Sequence, residues 1–128
     1  MRIERFEDIV AWQKAKELAV SVYKILEHSR DYGFNDQLQR AAVSVMNNIS
    51  EGFERKSNNE FSHFLYISKG SCAEVRSMLH LAVELGKVDE TAASQIIGLS
   101  EEISKTLSGL IRSISDPKPS SSKPRPTL

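Results

Sequence analysis

The stretch IIGLSEEISKTLSGLIRSI, residues 96–114, carries an apolar side chain at every third or fourth position. These side chains are Ile96, Leu99, Ile103, Leu107, Leu110 and Ile114. Such spacing places one apolar stripe along an α-helix and is typical of the seam of a helical bundle. We therefore predict a long amphipathic helix over about 89–115, with Asp89 as its N-cap.

Three further amphipathic segments precede this helix in the chain. Their apolar stripes cover about residues 7–29, 35–55 and 58–85. No stretch alternates apolar and polar residues for long enough to predict a β-strand. Because short loops join the segments, consecutive helices should run in opposite directions. The sequence predicts an all-α protein, an antiparallel up-down-up-down four-helix bundle that occupies residues 1–115.

Capping residues mark the predicted ends of these helices. We expect Asp8 to cap the first helix. Gly33 should terminate this helix just beyond its last residues. The third helix opens with S-N-N-E, in which Ser57 and Glu60 form a capping box. Gly86 is expected to end that helix.

Proline is confined to one end of the chain. All four prolines lie in the tail over 116–128, DPKPSSSKPRPTL. Since proline costs about 3 kcal/mol inside a helix, its absence from the body favours long helices. The tail is rich in Pro, Ser and basic residues, and we expect it to be disordered or extended.

Charge and composition argue against several classes of protein. The 17 basic and 17 acidic side chains cancel, so no overall positive field indicates a nucleic-acid-binding protein. The charged N-terminal segment is unlike a signal peptide, and no apolar run is long enough to cross a membrane. The single cysteine, Cys72, cannot form an intrachain disulfide or a cysteine-based zinc site. These features predict a reduced protein of the cytoplasm.

Catalytic chemistry has little support in the sequence. Glu60 and His63 have the Glu-x-x-His spacing of di-metal carboxylate four-helix enzymes, which need two such pairs and two further glutamates. This chain has one pair, although a symmetric dimer would supply the second, so the di-metal enzyme stays open as an alternative. We interpret Cys72 as a small buried residue. No glycine-rich phosphate loop is present, and we predict neither enzymatic activity nor a cofactor.

A polar stripe lies beside the apolar stripe of the second helix and extends onto the third. Its members are Arg40, Ser44, Asn48, Glu51, Ser71 and Glu74. Two interpretations are open: a solvated face, or a network of hydrogen bonds between helices or subunits that sets their register. Gly52 and Gly70 each cost about 1 kcal/mol relative to alanine in a helix. This cost favours close backbone contact, or a kink, at both positions.

Cations on the second and third helices are candidates for contact with RNA or DNA. They are Arg40, Arg55, Lys56, Lys69 and Arg76. Arg55 and Lys56 lie at a helix end, where cations also stabilise the helix dipole. One chain offers few phosphate contacts, but a ring of copies would repeat them.

Seven apolar residues lie outside the main stripes of the predicted helices. They are Val10, Leu18, Ile25, Ile67, Met78, Ile97 and Ile111. Second stripes of this kind are either the edges of the core or a subunit interface.

Three blocks of sequence carry a family resemblance: FEDIVAWQKA (6–15), QLQRAAVSVMNNISEGFER (37–55) and EFSHFLYISKGSCAEV (60–75). They resemble the bacterial four helix bundle protein family, which includes ribosomal-protein-like products of intervening sequences in large-subunit ribosomal RNA genes. The resemblance covers about residues 5–115 and implies an up-down bundle that assembles as a homopentamer. It also implies a similarity in fold to the accessory variability protein of diversity-generating retroelements, which binds nucleic acid and a reverse transcriptase.

The family's polar pattern falls on the polar stripe described above, together with Gly52, Arg55 and Gly70. Gln39 stands where the family usually has arginine, which removes one cation from the expected binding surface. We therefore expect a non-enzymatic oligomeric bundle whose partners are further copies of itself, RNA or DNA, or another protein, but no membrane. The alternatives are a protein–protein scaffold without nucleic acid and the di-metal enzyme.

Overall fold

The computed structural model describes residues 3–115 of the 128-residue chain. Over that range the chain forms four α-helices and no β-strand. The helices are α1 (Val10–Ile25), α2 (Tyr32–Glu54), α3 (Asn58–Glu84) and α4 (Glu90–Ser115). The predicted all-α fold with four helices is confirmed. The predicted tail over 116–128 lies outside the described residues.

The core contains one apolar stripe from each helix. Its largest fully buried side chains are Leu18, Leu38, Ile49, Leu65, Leu79, Ile103, Leu107 and Ile111. Each helix packs against the next one in the chain, and α1 also packs against α4. Within residues 3–115, the backbones of α1 and α3, and those of α2 and α4, nowhere approach within 8 Å between Cα atoms, so these pairs lie diagonally. The helices therefore form a four-membered bundle around a single core.

The start of α1 differs from the prediction. The residues Phe6–Asp8 form a separate 3₁₀ turn, and α1 begins only at Val10. Ile9 occupies the N-cap position and makes no side-chain hydrogen bond there, so the prediction of Asp8 as the cap is wrong. The Phe6 ring packs edge-on against the Trp12 ring at 5.2 Å. This contact packs the 3₁₀ turn against α1, and the extended backbone of Ile9, with ψ of 122°, separates the turn from the helix.

The connection from α1 to α2 also differs, because Asp31 caps α2. Its Oδ1 accepts a hydrogen bond from the Phe34 backbone amide at 3.3 Å, and its Oδ2 accepts one from Lys87 Nζ at 2.5 Å. The hydrogen bonds from Lys87 and Phe34 lower the pKa of Asp31. Gly33 therefore lies inside the first turn of α2, and the prediction that it stops the first helix is wrong. The apolar stripe of α2 begins several residues after Asp31, so apolar spacing alone does not mark Asp31 as the cap.

The predicted N-caps Ser57 and Asp89 and the helix end at Gly86 are confirmed, but the Glu60 carboxylate contacts the Ser57 hydroxyl and not the Ser57 amide that a full capping box requires. Ser57 Oγ accepts a hydrogen bond from the Glu60 amide at 3.1 Å, and Asp89 Oδ2 accepts one from the Ala92 amide at 3.0 Å. Gly86 has a φ of +71° just beyond α3. The next amide, that of Lys87, donates back to the Ala82 carbonyl at 2.8 Å, which closes a Schellman motif.

The additional apolar residues lie mainly at the core. Five of the seven are fully buried or pack against its edge: Leu18, Ile25, Met78, Ile97 and Ile111. Val10 and Ile67 point outward and are 54% and 41% exposed. Most of the second stripes are therefore parts or edges of the core.

Gly52 is a point of close approach between α2 and α3. A Cβ atom at this position would lie 2.7 Å from Phe64 Cβ and 3.1 Å from Phe61 Cδ1. The absence of a side chain therefore allows α3 to lie directly on α2. A Cβ at Gly70 would have no neighbour within 4 Å. Close contact is confirmed at Gly52, and its prediction at Gly70 is wrong.

We predict that Gly52→Ala lowers the free energy of unfolding by about 1–3 kcal/mol, because the new methyl group overlaps Phe64 in a packed contact. Gly98→Ala is the matched control, since Gly98 also lies inside a helix but has open space around it. It should raise the free energy of unfolding by up to about 1 kcal/mol. Urea denaturation followed by circular dichroism measures both. Equal stabilisation by the two substitutions would contradict the close packing at Gly52.

Candidate functional site

Three members of the predicted polar stripe join α2 to α3. Ser44 Oγ lies 2.9 Å from Ser71 Oγ, so the two hydroxyls share a hydrogen bond between the helices. Asn48 Nδ2 donates to both Ser44 Oγ and the Ser44 carbonyl, each at 2.8 Å. These groups are partly buried, so the bonds among them replace bonds to water. For these residues the structure favours an interhelical network over a solvated face.

The other members of the stripe are arranged differently. Arg40 Nε donates to Asp36 Oδ2 at 2.8 Å, one turn earlier on α2. Glu51 Oε2 accepts a hydrogen bond from Arg55 Nη2 at 2.9 Å, one turn later. Glu74 is exposed and makes no hydrogen bond or ion pair with any residue between 3 and 115. The stripe thus divides into an interhelical cluster, two ion pairs along the surface of α2 and the exposed Glu74 on α3.

Two buried serines make further hydrogen bonds between helices. The sequence alone does not predict these bonds. Ser68 Oγ donates to the Val45 carbonyl on α2 at 2.7 Å, and Ser100 Oγ donates to the Cys72 carbonyl on α3 at 3.0 Å. Both serines are fully buried. Their signal in the sequence is a small polar residue in register with an apolar stripe. Such a side chain allows close helix contact while its hydroxyl finds a carbonyl on the neighbouring helix.

Arg55 and Lys56, at the end of α2, are candidate cations that the structure places near the turn to α3. The Arg55 guanidinium binds Glu51 and also lies 3.5 Å from Glu60 Oε1. It is 4.9 Å above the centre of the Phe64 ring. Lys56 is exposed in the turn itself. The charge of Arg55 is therefore balanced by carboxylates within the chain.

Lys69 and Arg76 occupy the opposite flank of α3, which faces α4. Lys69 Nζ donates to Ser108 Oγ at 2.7 Å. Arg76 Nη1 donates to Ser100 Oγ at 3.1 Å and to Ser104 Oγ at 3.2 Å. Among residues 3–115, no carboxylate oxygen lies within 4.0 Å of either cation. The candidate cations thus separate into two groups on different surfaces.

Cys72 lies near this second group of cations. Burial raises the pKa of the Cys72 thiol, while hydrogen bonding with Ser104 and Ser100 and the charges of Arg76 and Lys69 act in the opposite direction. The two cations lie three residues before and four residues after Cys72, so α3 itself places them on the side of the thiol. Burial outweighs them, so the thiol stays neutral and inert.

We predict that Cys72 in the folded protein reacts with a disulfide reagent at pH 8 at least about 100-fold more slowly than in the urea-unfolded protein, because reaction requires both opening of the core and ionisation. A Cys72→Ala, Ser77→Cys protein is the control, since Ser77 is exposed on the same helix. Its thiol should react rapidly in the folded state. Equal rates for Cys72 and the control thiol would contradict the described burial.

Glu60 and His63, the candidate metal-ligand pair, contact residues of their own helix and of the preceding turn. Ser57 Oγ lies 3.4 Å from the Glu60 carboxylate, which also pairs with Arg55, and the His63 ring packs edge-on against Phe64 at 5.8 Å. Over residues 3–115, no three His, Cys, Asp or Glu side chains are grouped closely enough to hold a metal ion. The same part of the chain contains no helix that is both long and apolar enough to cross a membrane.

The fold and the site define a four-helix bundle protein whose buried polar side chains join its own helices. The chain belongs to the 23S rRNA-intervening sequence protein family, whose model matches residues 7–109. It is also similar to the crystal structure of a protein of unknown function from the S23 ribosomal protein family of Bacteroides thetaiotaomicron VPI-5482. That similarity has a TM-score of 0.75 and 26% sequence identity, and it covers 80% of this chain and 99% of the other. No curated protein matches the chain.

Proposed function

We propose that this protein is a non-enzymatic scaffold of the cytoplasm that self-associates and binds RNA or DNA through phosphate contacts repeated in each copy. The observation that carries the proposal is the pair Lys69 and Arg76, whose charges are held by neutral hydroxyls rather than by carboxylates within residues 3–115. The family resemblance supports a homopentamer. A ring of five copies would repeat both cations and convert weak contacts into a stable complex.

The contacts support an antiparallel up-down-up-down order for the bundle. Between α3 and α4, Lys69 contacts Ser108 and Arg76 contacts Ser100, so residue numbers rise on α3 as they fall on α4. The contacts between α2 and α3 have the same trend, from Ser44 with Ser71 to Gly52 with Phe64.

The outer face of α3 is the surface that we propose for self-association. Ile67, Leu81 and Leu85 are 41%, 49% and 56% exposed on this helix. Together with the half-buried Met78 and with Glu74 they follow a helical spacing, so they lie along one stripe. Full burial of a large aliphatic side chain contributes about 1.5–3 kcal/mol. Contact between copies along this stripe would therefore be favourable.

A protein–protein scaffold without nucleic acid is the second candidate function. The same apolar stripe on α3 supports it, since a different protein would cover these side chains as well as another copy would. The two candidates differ in their dependence on salt, because only phosphate contacts release counterions from a nucleic acid.

We predict that the full-length protein binds a fluorescently labelled single-stranded RNA and that the affinity falls steeply between 50 and 200 mM salt. Each neutralised phosphate contributes about −0.7 to the slope of log K against log salt concentration. Lys69 and Arg76 from one copy would give a slope of about −1.4, and further copies would make it steeper. Fluorescence anisotropy measures the slope. A flat slope, or no binding at 50 mM salt, would contradict nucleic-acid binding and leave the protein–protein scaffold.

A further inference from the structure

The groove between α3 and α4 holds cations that the fold itself orients. Ser100 Oγ uses its hydrogen for the Cys72 carbonyl and accepts a hydrogen bond from Arg76 Nη1. Ser104 Oγ accepts a second hydrogen bond from the same nitrogen at 3.2 Å. One end of the guanidinium is therefore fixed by two hydroxyls, one of which is fully buried. Such fixed donors lose little conformational entropy when they bind a ligand.

The fixed guanidinium keeps donors for a ligand. Arginine has five N–H hydrogens, and the two serines use those of Nη1. The Nε and Nη2 hydrogens have no hydrogen-bond partner among residues 3–115. Arg76 also lines an open groove of about 380 Å³, together with Glu101, Ser104 and Lys105. The groove thus presents arginine donors, a hydroxyl and a second cation, which is a set that suits the oxygens of a phosphate group.

The candidate cations on α2 are paired with carboxylates, unlike Arg76 and Lys69. Arg40 and Arg55 form ion pairs one turn apart with Asp36 and Glu51, so each is locally neutralised before any ligand arrives. A phosphate that bound Arg40 or Arg55 would have to displace or approach a carboxylate. The same approach to Lys69 would exchange only a neutral hydroxyl, that of Ser108.

We propose that the α3–α4 surface, which comprises the groove lined by Arg76, Ser104 and Lys105 together with Lys69 two turns earlier on α3, contacts the phosphates of the nucleic-acid backbone. This inference rests on the proposed nucleic-acid binding and assigns it to one surface of the bundle. Lys69 and Arg76 are seven residues apart on α3, a rise of about 10.5 Å, so they contact different phosphates of a strand. Glu101, which also lines the groove, opposes binding by its negative charge.

The test compares salt slopes of RNA binding for full-length variants, and the groove double variant and its control lose the same two positive charges. Lys69→Gln with Arg76→Gln should reduce the magnitude of the slope by about 1.4 for each copy in contact with the RNA. Glutamine removes each charge while keeping a polar side chain, and circular dichroism verifies that the variant is folded. Lys69→Arg with Arg76→Lys retains both charges and should restore the slope.

The control removes two cations from α1, which lies diagonally across the bundle from α3 in the described structure. Lys16 and Lys24 are exposed on α1, and Lys16→Gln with Lys24→Gln should leave the slope unchanged. Glu101→Gln should tighten binding, because it removes the carboxylate from the groove without touching a cation. A merely structural role for Lys69 and Arg76 would not predict this gain.

The salt slopes distinguish a wrong groove assignment from the absence of nucleic-acid binding. If the wild type binds RNA with a steep slope and the groove double variant binds with the same slope, the groove assignment is wrong while nucleic-acid binding stands. The same conclusion follows if Arg40→Gln with Arg55→Gln removes the slope instead. If the wild type itself binds no RNA, or binds without salt dependence, both proposals are wrong.

Discussion

The close contact of α3 with both of its neighbours is the constraint on which the rest of the structure depends. On one flank, Gly52 allows α3 to lie against α2, and Ser68 donates to the Val45 carbonyl. On the other flank, the Ser100 hydroxyl of α4 donates to the Cys72 carbonyl of α3. Larger residues at these positions would separate the helices, and apolar residues of the same size would leave the register between them less specified.

The same contacts position the cations. Ser100 satisfies a carbonyl of α3 and at the same time accepts a hydrogen bond from Arg76, so the contact that fixes α4 also orients the guanidinium. A partly buried cation with neutral partners has lost some of its hydration without gaining a counter-charge. Binding an anion from solution therefore restores a favourable interaction that the chain does not itself supply within residues 3–115.

The features that local sequence determines were predicted well. The seam of α4 follows from apolar spacing, and the caps at Ser57 and Asp89 follow from side-chain oxygens placed three residues before a free amide. The expectations at Asp8 and Gly33 are wrong because the helices begin at other residues: a 3₁₀ turn precedes α1, and the Asp31 side chain caps α2 through the Phe34 amide. The Phe6 and Trp12 rings hold a turn before α1, and Lys87, far along the chain, contacts the cap of α2.

The candidate site was predicted only in part, because a residue list does not show which helix faces which. The spacing on α2 correctly placed Ser44 and Asn48 on the side that meets α3. It also grouped Arg40 with them, although Asp36, one turn away, holds that side chain on the surface. The bond of Ser68 to α2 depends on the pairing of the two helices and has no local signal beyond the size and polarity of the residue.

The central claim is that a single copy leaves the outer stripe of α3 uncovered, so that copies associate and repeat the cationic groove. Sedimentation equilibrium of the full-length protein at micromolar concentration tests this claim most directly. The account predicts a species several times heavier than the 14.4 kDa chain, with five copies for a homopentamer. A single species of 14.4 kDa across that concentration range would contradict it.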